Sequence, residues 1–307
     1  MQFPKDKDRS AILWGIGIAL GLLLFAVISK YYISPAHMEN TYKNFVKKSA
    51  IVSQMRINLL KSVEMEKNAV MAITDEESQE FADQSLAASA AVEQNLTHLR
   101  SLIDAAPMQD EKKLDSEFNT CWMELRKLDQ VILELAVQNT NLKAASLSRE
   151  KGDETMQQFE HALEELMHSY AGTRNEGRIT DLAFRAITAG LKMYNLHSSH
   201  IAEASDEKMD QIETQIKAEE NEAVKSLDGL AEIVGDESKG LLLQAKAAFS
   251  EFNEVTAKVI KLSRQNSNIK SLELSLGRKR KIAAQCDEIL ATFQEAVQKN
   301  STSRATR

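Results

Sequence analysis

Apolar side chains recur along most of the chain at alternating steps of three and four residues. The clearest run is the stripe at positions 125, 128, 132, 135, 139 and 142. This spacing places the apolar side chains on one face of a helix, which is typical of helices that pack into a bundle. Pro107 is the only proline after Pro35, so little interrupts the helical pattern. The sequence therefore predicts an all-α protein built from long antiparallel helices.

A different pattern, uncharged and almost entirely apolar, runs from Ala11 to Ser29 between Arg9 and Lys30. At 1.5 Å per residue, this run is about long enough to cross the ~30 Å hydrocarbon layer of a membrane. We predict a single transmembrane helix over residues 11–29, with a cytoplasmic tail at residues 1–10. The alternative is a signal peptide cleaved after Ser34-Pro35-Ala36.

The orientation of this predicted helix follows from the shortness of the tail that precedes it. A short N-terminal tail before a signal-anchor helix usually stays in the cytoplasm, and long domains are translocated largely regardless of charge. We therefore expect an inner (plasma) membrane protein whose large domain is periplasmic or extracellular. Gly17 and Gly21 form a GxxxG spacing, which favours close contact between two membrane helices but also arises by chance.

The chain contains an internal repeat. The stretch from Gln138 to Lys143 recurs from Gln265 to Lys270, 127 residues later, with four of six positions identical. Upstream of Pro107 the offset is 131 residues, so the change in length falls at a turn, where it costs little. We predict tandem antiparallel helical bundles at residues 36–171 and 178–300, followed by a disordered tail at 301–307.

Local signals predict where the helices begin and end. A first helix over residues 36–73 is followed by a capping box of Thr74 and Glu77. A second helix runs to about residue 106, Pro107 makes a turn, and a third helix covers residues 110–151. Further along the chain, glycines and a serine mark a stop, a possible junction and a helix start: Gly152, Gly172 with Gly177, and Ser205.

Charge and cysteine content limit the classes of function. The formal net charge of −7 argues against nucleic acid as the main partner. Cys121 and Cys286 are far apart in the sequence and have no metal-type spacing, so we expect neither redox chemistry nor a disulfide framework. No catalytic motif is present, and we expect a protein that is not an enzyme and needs no cofactor.

Three polar residues on the predicted core stripes are candidate ligand-binding residues. Asn139 and Asn266 occupy positions where apolar side chains are expected. They either pair with polar groups on neighbouring helices and fix the register, or line a pocket for a small ligand. Arg56, between Val52 and Leu59, either binds a ligand carboxylate bidentately or pairs with a glutamate of an adjacent helix.

Two further features have a structural and a functional interpretation. His197, His200 and Glu203 share a helix face and could hold a metal, but the spacing is weak evidence and we predict no metal site there or at His161 and His168. The basic run at residues 277–281 predicts a solvated helix start, with lipid head groups as the alternative partner.

The combined features resemble the four-helix-bundle sensor domain of methyl-accepting chemotaxis proteins. The resemblance rests on the tail, the apolar span, the acidic bundle, the turn at Thr74-Asp75-Glu76 and the repeated QN[ST]N[LI]K stretch. The doubling further resembles the helical bimodular variety, which has two bundles. The family resemblance implies dimerisation, binding of small molecules such as organic acids, and a helix displacement transmitted through the membrane.

The chain shows no second apolar span, HAMP-like linker or cytoplasmic signalling domain after Asn300, so we do not expect it to signal as a complete receptor. We therefore expect a membrane-anchored extracytoplasmic sensor module that acts in chemotaxis or signal transduction. Its expected partners are the lipid bilayer, a second copy of the chain, other membrane receptors and a small organic ligand. The alternative is a tethered scaffold protein with no small-molecule ligand.

Overall fold

The computed structural model describes residues 23–24 and 35–305, and every regular element within 35–305 is helical. This confirms the predicted all-α class for the described part of the chain. Within residues 35–305, ten α-helices are interspersed with two π-turns and one short 3-10 helix. In chain order the α-helices are α1 Pro35–Met71, α2 Asp75–Ala105, α3 Gln109–Ala136, α4 Thr140–Leu147, α5 Asp153–Ser169, α6 Glu176–Ala202, α7 Asp206–Ala231, α8 Lys239–Gln265, α9 Ser267–Leu274 and α10 Arg280–Ala305. The first π-turn is Ser148–Gly152, the second is Ser275–Lys279, and the 3-10 helix is Asp236–Ser238.

Several helix ends lie where the local signals predicted them. The Thr74 hydroxyl accepts a hydrogen bond from the Glu77 amide (3.1 Å) and caps α2, and the Ser205 hydroxyl caps α7 through the Lys208 amide (3.4 Å). Gly172 has a φ of +74° in the turn between α5 and α6. Residues other than glycine adopt this left-handed conformation only at a cost, so glycine is favoured at this position of the turn.

The third predicted helix ends earlier than expected. The predicted stop at Gly152 is wrong, because Gly152 lies inside the first π-turn with φ −64° and ψ −44°. The break falls instead at Asn139, which has a φ of +49°, and the repeat has the same break at Asn266, with a φ of +57°. Asparagine tolerates this left-handed conformation better than most residues.

The chain divides into two compact units, and each is assembled from segments distant in sequence. The described parts of the first unit are residues up to Ser62, Leu86–Glu124 and residues from Ile282 onward. Parts of α1, α2, α3 and α10 thereby form its four helical segments. Their buried faces carry large apolar side chains, which form the core: Val52, Met55, Leu59, Val92, Leu96, Leu99, Phe118, Trp122, Leu290 and Phe293.

A disulfide bond between Cys121 and Cys286 joins α3 to α10 in this first unit, with a Cα–Cα distance of 5.7 Å. The expectation that the chain has no disulfide framework is therefore wrong. The two residues are 165 positions apart, and only the packing of the last helix against the third brings them together. The spacing of the two cysteines in the sequence does not indicate that these two helices are neighbours.

The second unit comprises Val63–Ser85 and Leu125–Lys281. Its largest apolar cluster lies among α5, α6, α7 and α8 and includes Phe159, Leu163, Phe249 and Phe252. Gly190 lets α6 approach α5 closely, because a Cβ atom at this position would lie 2.9 Å from the Met156 methyl group. A larger residue at position 190 would therefore require the Met156 side chain to move.

The secondary structure repeats at the offsets seen in the sequence. Helices α4 and α9, and likewise the two π-turns, have bounds that differ by 127 residues, while α1 and α6 end 131 residues apart. The first unit takes its fourth helical segment from α10, and α5 packs against α6 and α8 in the second unit. The first unit thus includes a helix of the second predicted repeat, and the second unit includes a helix of the first. The division of the chain into bundles at 36–171 and 178–300 stays a prediction.

No helix within the described residues is long and apolar enough to cross a membrane. The predicted transmembrane segment at 11–29 lies outside the described residues apart from positions 23 and 24. Gly17 and Gly21, the candidate contacts between membrane helices, lie outside them as well. The membrane span and its orientation therefore stay predictions.

Candidate functional site

A cluster of buried polar side chains lies in the second unit where the two long helical paths break. We call its six residues the asparagine joint. Each break provides three consecutive residues with amide or hydroxyl side chains, and all of them except Asn268 are at least 93% buried. The joint consists of Asn139, Thr140 and Asn141 together with Asn266, Ser267 and Asn268.

The two breaks cap each other through reciprocal hydrogen bonds. The Thr140 amide donates to the Ser267 hydroxyl (3.0 Å), and the Ser267 amide donates to the Thr140 hydroxyl (3.1 Å). The Asn141 amide donates to Asn268 Oδ1 (3.1 Å), and the Asn268 amide donates to Asn141 Oδ1 (3.2 Å). The first amides of a helix have no partner within the helix, so each break satisfies the amides of the other.

The two predicted ligand-binding asparagines are engaged within this joint. Asn139 donates to Asp75 Oδ1 (3.0 Å) and accepts from the Asn268 side chain (2.9 Å). Asn266 donates to the Glu203 carbonyl (3.0 Å) and accepts from the Asn141 side chain at 2.8 Å. Such bonds between helices fix their register, which is the structural interpretation of these two residues.

Asp75 is held in its charged form at the edge of the joint. Lys143 lies 2.9 Å from its carboxylate, and the hydrogen bonds from Lys143 and Asn139 lower the pKa of Asp75. This group is about half exposed, so the ion pair with Lys143 contributes little to stability.

Next to the joint, His197 lies in a neutral polar cluster. Its ring nitrogens are 2.9 Å from the Ser148 hydroxyl and 3.0 Å from the Thr256 hydroxyl. Burial lowers the pKa of His197 to about 4, with a smaller contribution from His200. The ring is therefore neutral at physiological pH and both of its nitrogens have partners.

His200 contacts a second group of polar side chains, which includes ion pairs. Its ring bonds the Ser263 hydroxyl and Glu213 Oε1 (2.9 Å). Glu213 also accepts a 2.6 Å hydrogen bond from Arg264 Nε, and Arg264 bonds Asp210. These two carboxylates raise the pKa of the Arg264 guanidinium.

The contacts of these histidines differ from the metal-binding alternative considered for them. Glu203 turns away and accepts from the backbone amides of Ala204 and Ser205 at 3.0 Å and 2.9 Å. Sequence reasoning missed the contribution of Glu213 and Arg264. The repeat could have indicated it, because the equivalent positions of His200 and Glu213 in the other half are Ala69 and Ala82, which are buried in a small apolar cluster.

Arg56 lies in the first unit and forms a bidentate ion pair with Asp287, at 2.8 Å and 3.1 Å. Hydrogen bonding to Asp287 raises the pKa of Arg56. The Arg56 side chain remains 36% exposed, and Ser53 with Gln294 forms a hydrogen-bonded pair between the same two helices. The guanidinium thus already binds a carboxylate, but from an aspartate rather than from the predicted glutamate.

Lys279, the third residue of the basic run at 277–281, differs from the other four in its exposure to solvent. Four of its five residues are exposed, but Lys279 is 1% exposed. The expectation of a fully solvated helix start is therefore wrong for Lys279. Its ammonium group bonds Glu66 within the second unit.

The comparison with known families agrees with this architecture. Residues 12–171, just over half of the chain, match the model of a family described as a four helix bundle sensory module for signal transduction. This confirms the resemblance to the four-helix-bundle sensor domain of chemotaxis proteins. A comparison with curated proteins gave no match. On the strength of the family match, the chain belongs to the four-helix-bundle sensory modules for signal transduction.

Proposed function

We propose that this chain is a membrane-anchored sensory module that works outside the cytoplasm and binds a small molecule or a partner protein. Family membership supports the sensory role. The Cys121–Cys286 disulfide supports the compartment, since disulfides form and persist in oxidising environments and are rare in the cytosol. The apolar run at 11–29 supplies the proposed membrane helix, and the proposal includes no catalytic activity.

The proposed ligand contact is Arg56. Its guanidinium is bidentate to Asp287 and partly exposed, so a ligand carboxylate could exchange with the aspartate without a large opening of the helices. Planar bidentate geometry gives arginine its preference for carboxylates. In this proposal Asp287 occupies the site in the absence of ligand, and Ser53 with Gln294 supplies further polar groups.

A second copy of the chain is the proposed partner of the exposed face of α1. Four large apolar side chains are exposed along α1 in the first unit, between 45% and 66%, where single-copy packing leaves them in solvent: Tyr42, Val46, Ile57 and Leu60. Exposed apolar patches often mark interaction sites. In the proposed homodimer, Gly17 and Gly21 would pair the membrane helices. We also propose other membrane receptors as partners.

A thermal-shift screen tests ligand binding at Arg56. The full chain in detergent is melted with a panel of small carboxylates and amines, followed by circular dichroism. A ligand at 100 times its Kd stabilises the folded state by about 2.7 kcal/mol. We expect at least one carboxylate to raise the melting temperature of the parent protein and to lose this effect in Arg56→Ala.

The matched control is Arg100→Ala. Arg100 is in the same unit, is 40% exposed and also pairs with an aspartate, Asp115, at 3.0 Å, so it controls for loss of a surface ion pair. The same carboxylate should still stabilise Arg100→Ala. If no compound stabilises the parent, or if Arg56→Ala responds as the parent does, the proposed ligand site is wrong.

The scaffold alternative has one observation in its favour. Arg56, Asn139 and Asn266 all have intramolecular partners, as residues that serve structure alone would have. Crosslinking in membranes tests it, since a scaffold should yield a protein partner while the ligand screen stays negative.

A further inference from the structure

Three charged side chains lie completely inside the second unit, and a lysine among them contacts the other two. Lys279 Nζ is 2.5 Å from Glu66 Oε2 and 2.7 Å from Asp129 Oδ1. Each of the three side chains is at most 1% exposed. We call this group the charged cluster.

The charged cluster holds more negative than positive charge. Two carboxylates share one ammonium group, so the fully ionised cluster has a net charge of −1. A second cation, Arg126, has its Nη1 at 4.0 Å from Asp129 Oδ2, and its side chain is 28% exposed. At this distance and with this access to solvent, Arg126 compensates the negative charge only in part. A partly compensated charge in a buried site is expensive, and such a site usually neutralises by taking up a proton.

The hydrogen bonding of the carboxylates also favours uptake of a proton. Within the described part of the chain, Glu66 Oε1 and Asp129 Oδ2 are buried and accept no hydrogen bond. The Ser275 hydroxyl bonds Glu66 but does not supply a further positive charge. A protonated carboxyl group needs fewer hydrogen-bond donors than a carboxylate. Protonating one of the two groups therefore reduces the number of hydrogen-bond donors that the cluster lacks.

The equivalent place in the other half shows that the fold does not require these charges. At the repeat offsets, Glu66 corresponds to His197, Asp129 to Thr256 and Lys279 to Gly152. Ser275 corresponds to Ser148, which bonds His197. A neutral histidine with two hydroxyl partners fills that site, so the charged cluster is a particular feature of its own half.

We propose that the charged cluster is a proton-binding site, in which Glu66 and Asp129 hold one proton between them at neutral pH and release it as the pH rises. Release leaves a buried net negative charge beside the second π-turn, which carries Lys279 and leads into α10. The proton thus links the stability of this turn to the external pH.

The groups that act on the two carboxyls come from every element of the cluster. The charge of Asp129 on α3 raises the pKa of Glu66 on α1, and Lys279 on the π-turn lowers the pKa of both carboxyl groups. Arg126 on α3 lowers the pKa of Asp129. Burial outweighs these cations and raises the pKa of both Glu66 and Asp129. A raised carboxyl pKa means that the folded state binds the proton more tightly than the unfolded state.

The sign of the pH dependence follows. Stability is fully present below the ordinary carboxyl pKa of about 4 and is lost as the pH rises through the raised pKa. Over that window, the unfolding equilibrium constant increases up to tenfold per pH unit for one proton. Glu66→Gln and Asp129→Asn each leave one carboxylate with Lys279, and each should remove this dependence.

The test is urea unfolding of the full chain in detergent at pH values from 5 to 9. We expect the ratio of the unfolding constants of parent and Glu66→Gln to increase by tenfold or more across this range, and likewise for Asp129→Asn. The control is Glu64→Gln, an exposed residue on the same helix, for which the ratio should stay constant. Parallel pH profiles for the parent and the two cluster variants would overturn the proposal.

A direct measurement covers variants that fail to fold. Infrared spectroscopy of the parent at pH 7 should show the carbonyl band of one protonated, buried carboxyl group, and this band should disappear at high pH. A second buried pair, Lys48 with Glu111 in the first unit, has balanced charges and should contribute no such band. Absence of the band from the folded parent at pH 7 would refute the shared proton.

Discussion

Replacing Asn139 tests whether the asparagine joint is a structural element. Asn139→Leu places a γ-branched side chain at a φ of +49°, which costs about 1 to 2 kcal/mol for a residue other than glycine. It also removes the acceptor of the Asn268 side chain, and an unsatisfied buried amide costs about 1 to 3 kcal/mol. With the lost bond to Asp75, we expect a total of roughly 3 to 5 kcal/mol.

Asn139→Gly separates the two causes. Glycine adopts the left-handed conformation without strain, so it should lose only the hydrogen bonds of the side chain. We expect Asn139→Gly to be more stable than Asn139→Leu by about 1 to 2 kcal/mol. Asn266, with a φ of +57°, should show the same order of stability between its leucine and glycine variants.

The assay is equilibrium urea unfolding of the full chain, followed by circular dichroism. Gln138→Leu is the matched control, because Gln138 is the exposed neighbour and should change stability by less than about 0.5 kcal/mol. If Asn139→Leu unfolds at the same urea concentration as the parent, the joint does not stabilise the fold. If the leucine and glycine variants are equal, the left-handed backbone is not the reason for asparagine at this position.

Two further predictions concern the disulfide and the buried histidine. Reduction, or the double change Cys121→Ala and Cys286→Ala, should lower the free energy of unfolding by about 2 to 5 kcal/mol, because the crosslink closes a loop of 165 residues; two free thiols in the unreduced, denatured parent would contradict the bond. His197 has a pKa lowered to about 4, so stability should fall by about 3 kcal/mol as the pH drops from 6.5 to 4. His197→Gln should flatten this loss in urea unfolding, and an unchanged acid profile would show that His197 is not its cause.

Helix ends that depend on local chemistry could be predicted from the sequence. Thr74 and Ser205 cap helices because each hydroxyl reaches the backbone amide three residues later. Gly172 lies in the turn after α5 because glycine adopts a positive φ without strain. Pro107 lies between α2 and α3 for an equally local reason. These signals operate within a few residues, so a single sequence contains them in full.

Features that depend on neighbours in space could not be predicted. The Cys121–Cys286 bond and the burial of Lys279 require knowledge of which helix lies beside which. The sequence shows that α5 and α10 end their repeats, but not that α10 completes the first unit while α5 packs in the second. Antiparallel helices of similar length can pair in several ways with nearly the same apolar pattern.

The repeat separates what the fold needs from what is specific to one half. The asparagine joint needs a hydroxyl in each half, because Thr140 and Ser267 each accept a hydrogen bond from the backbone amide of the other. The adjacent sites carry no such constraint, and one holds a neutral histidine while the other holds three ionisable side chains. Loss of function after a change in the joint should therefore follow loss of stability, whereas changes in the charged cluster should alter how stability depends on pH.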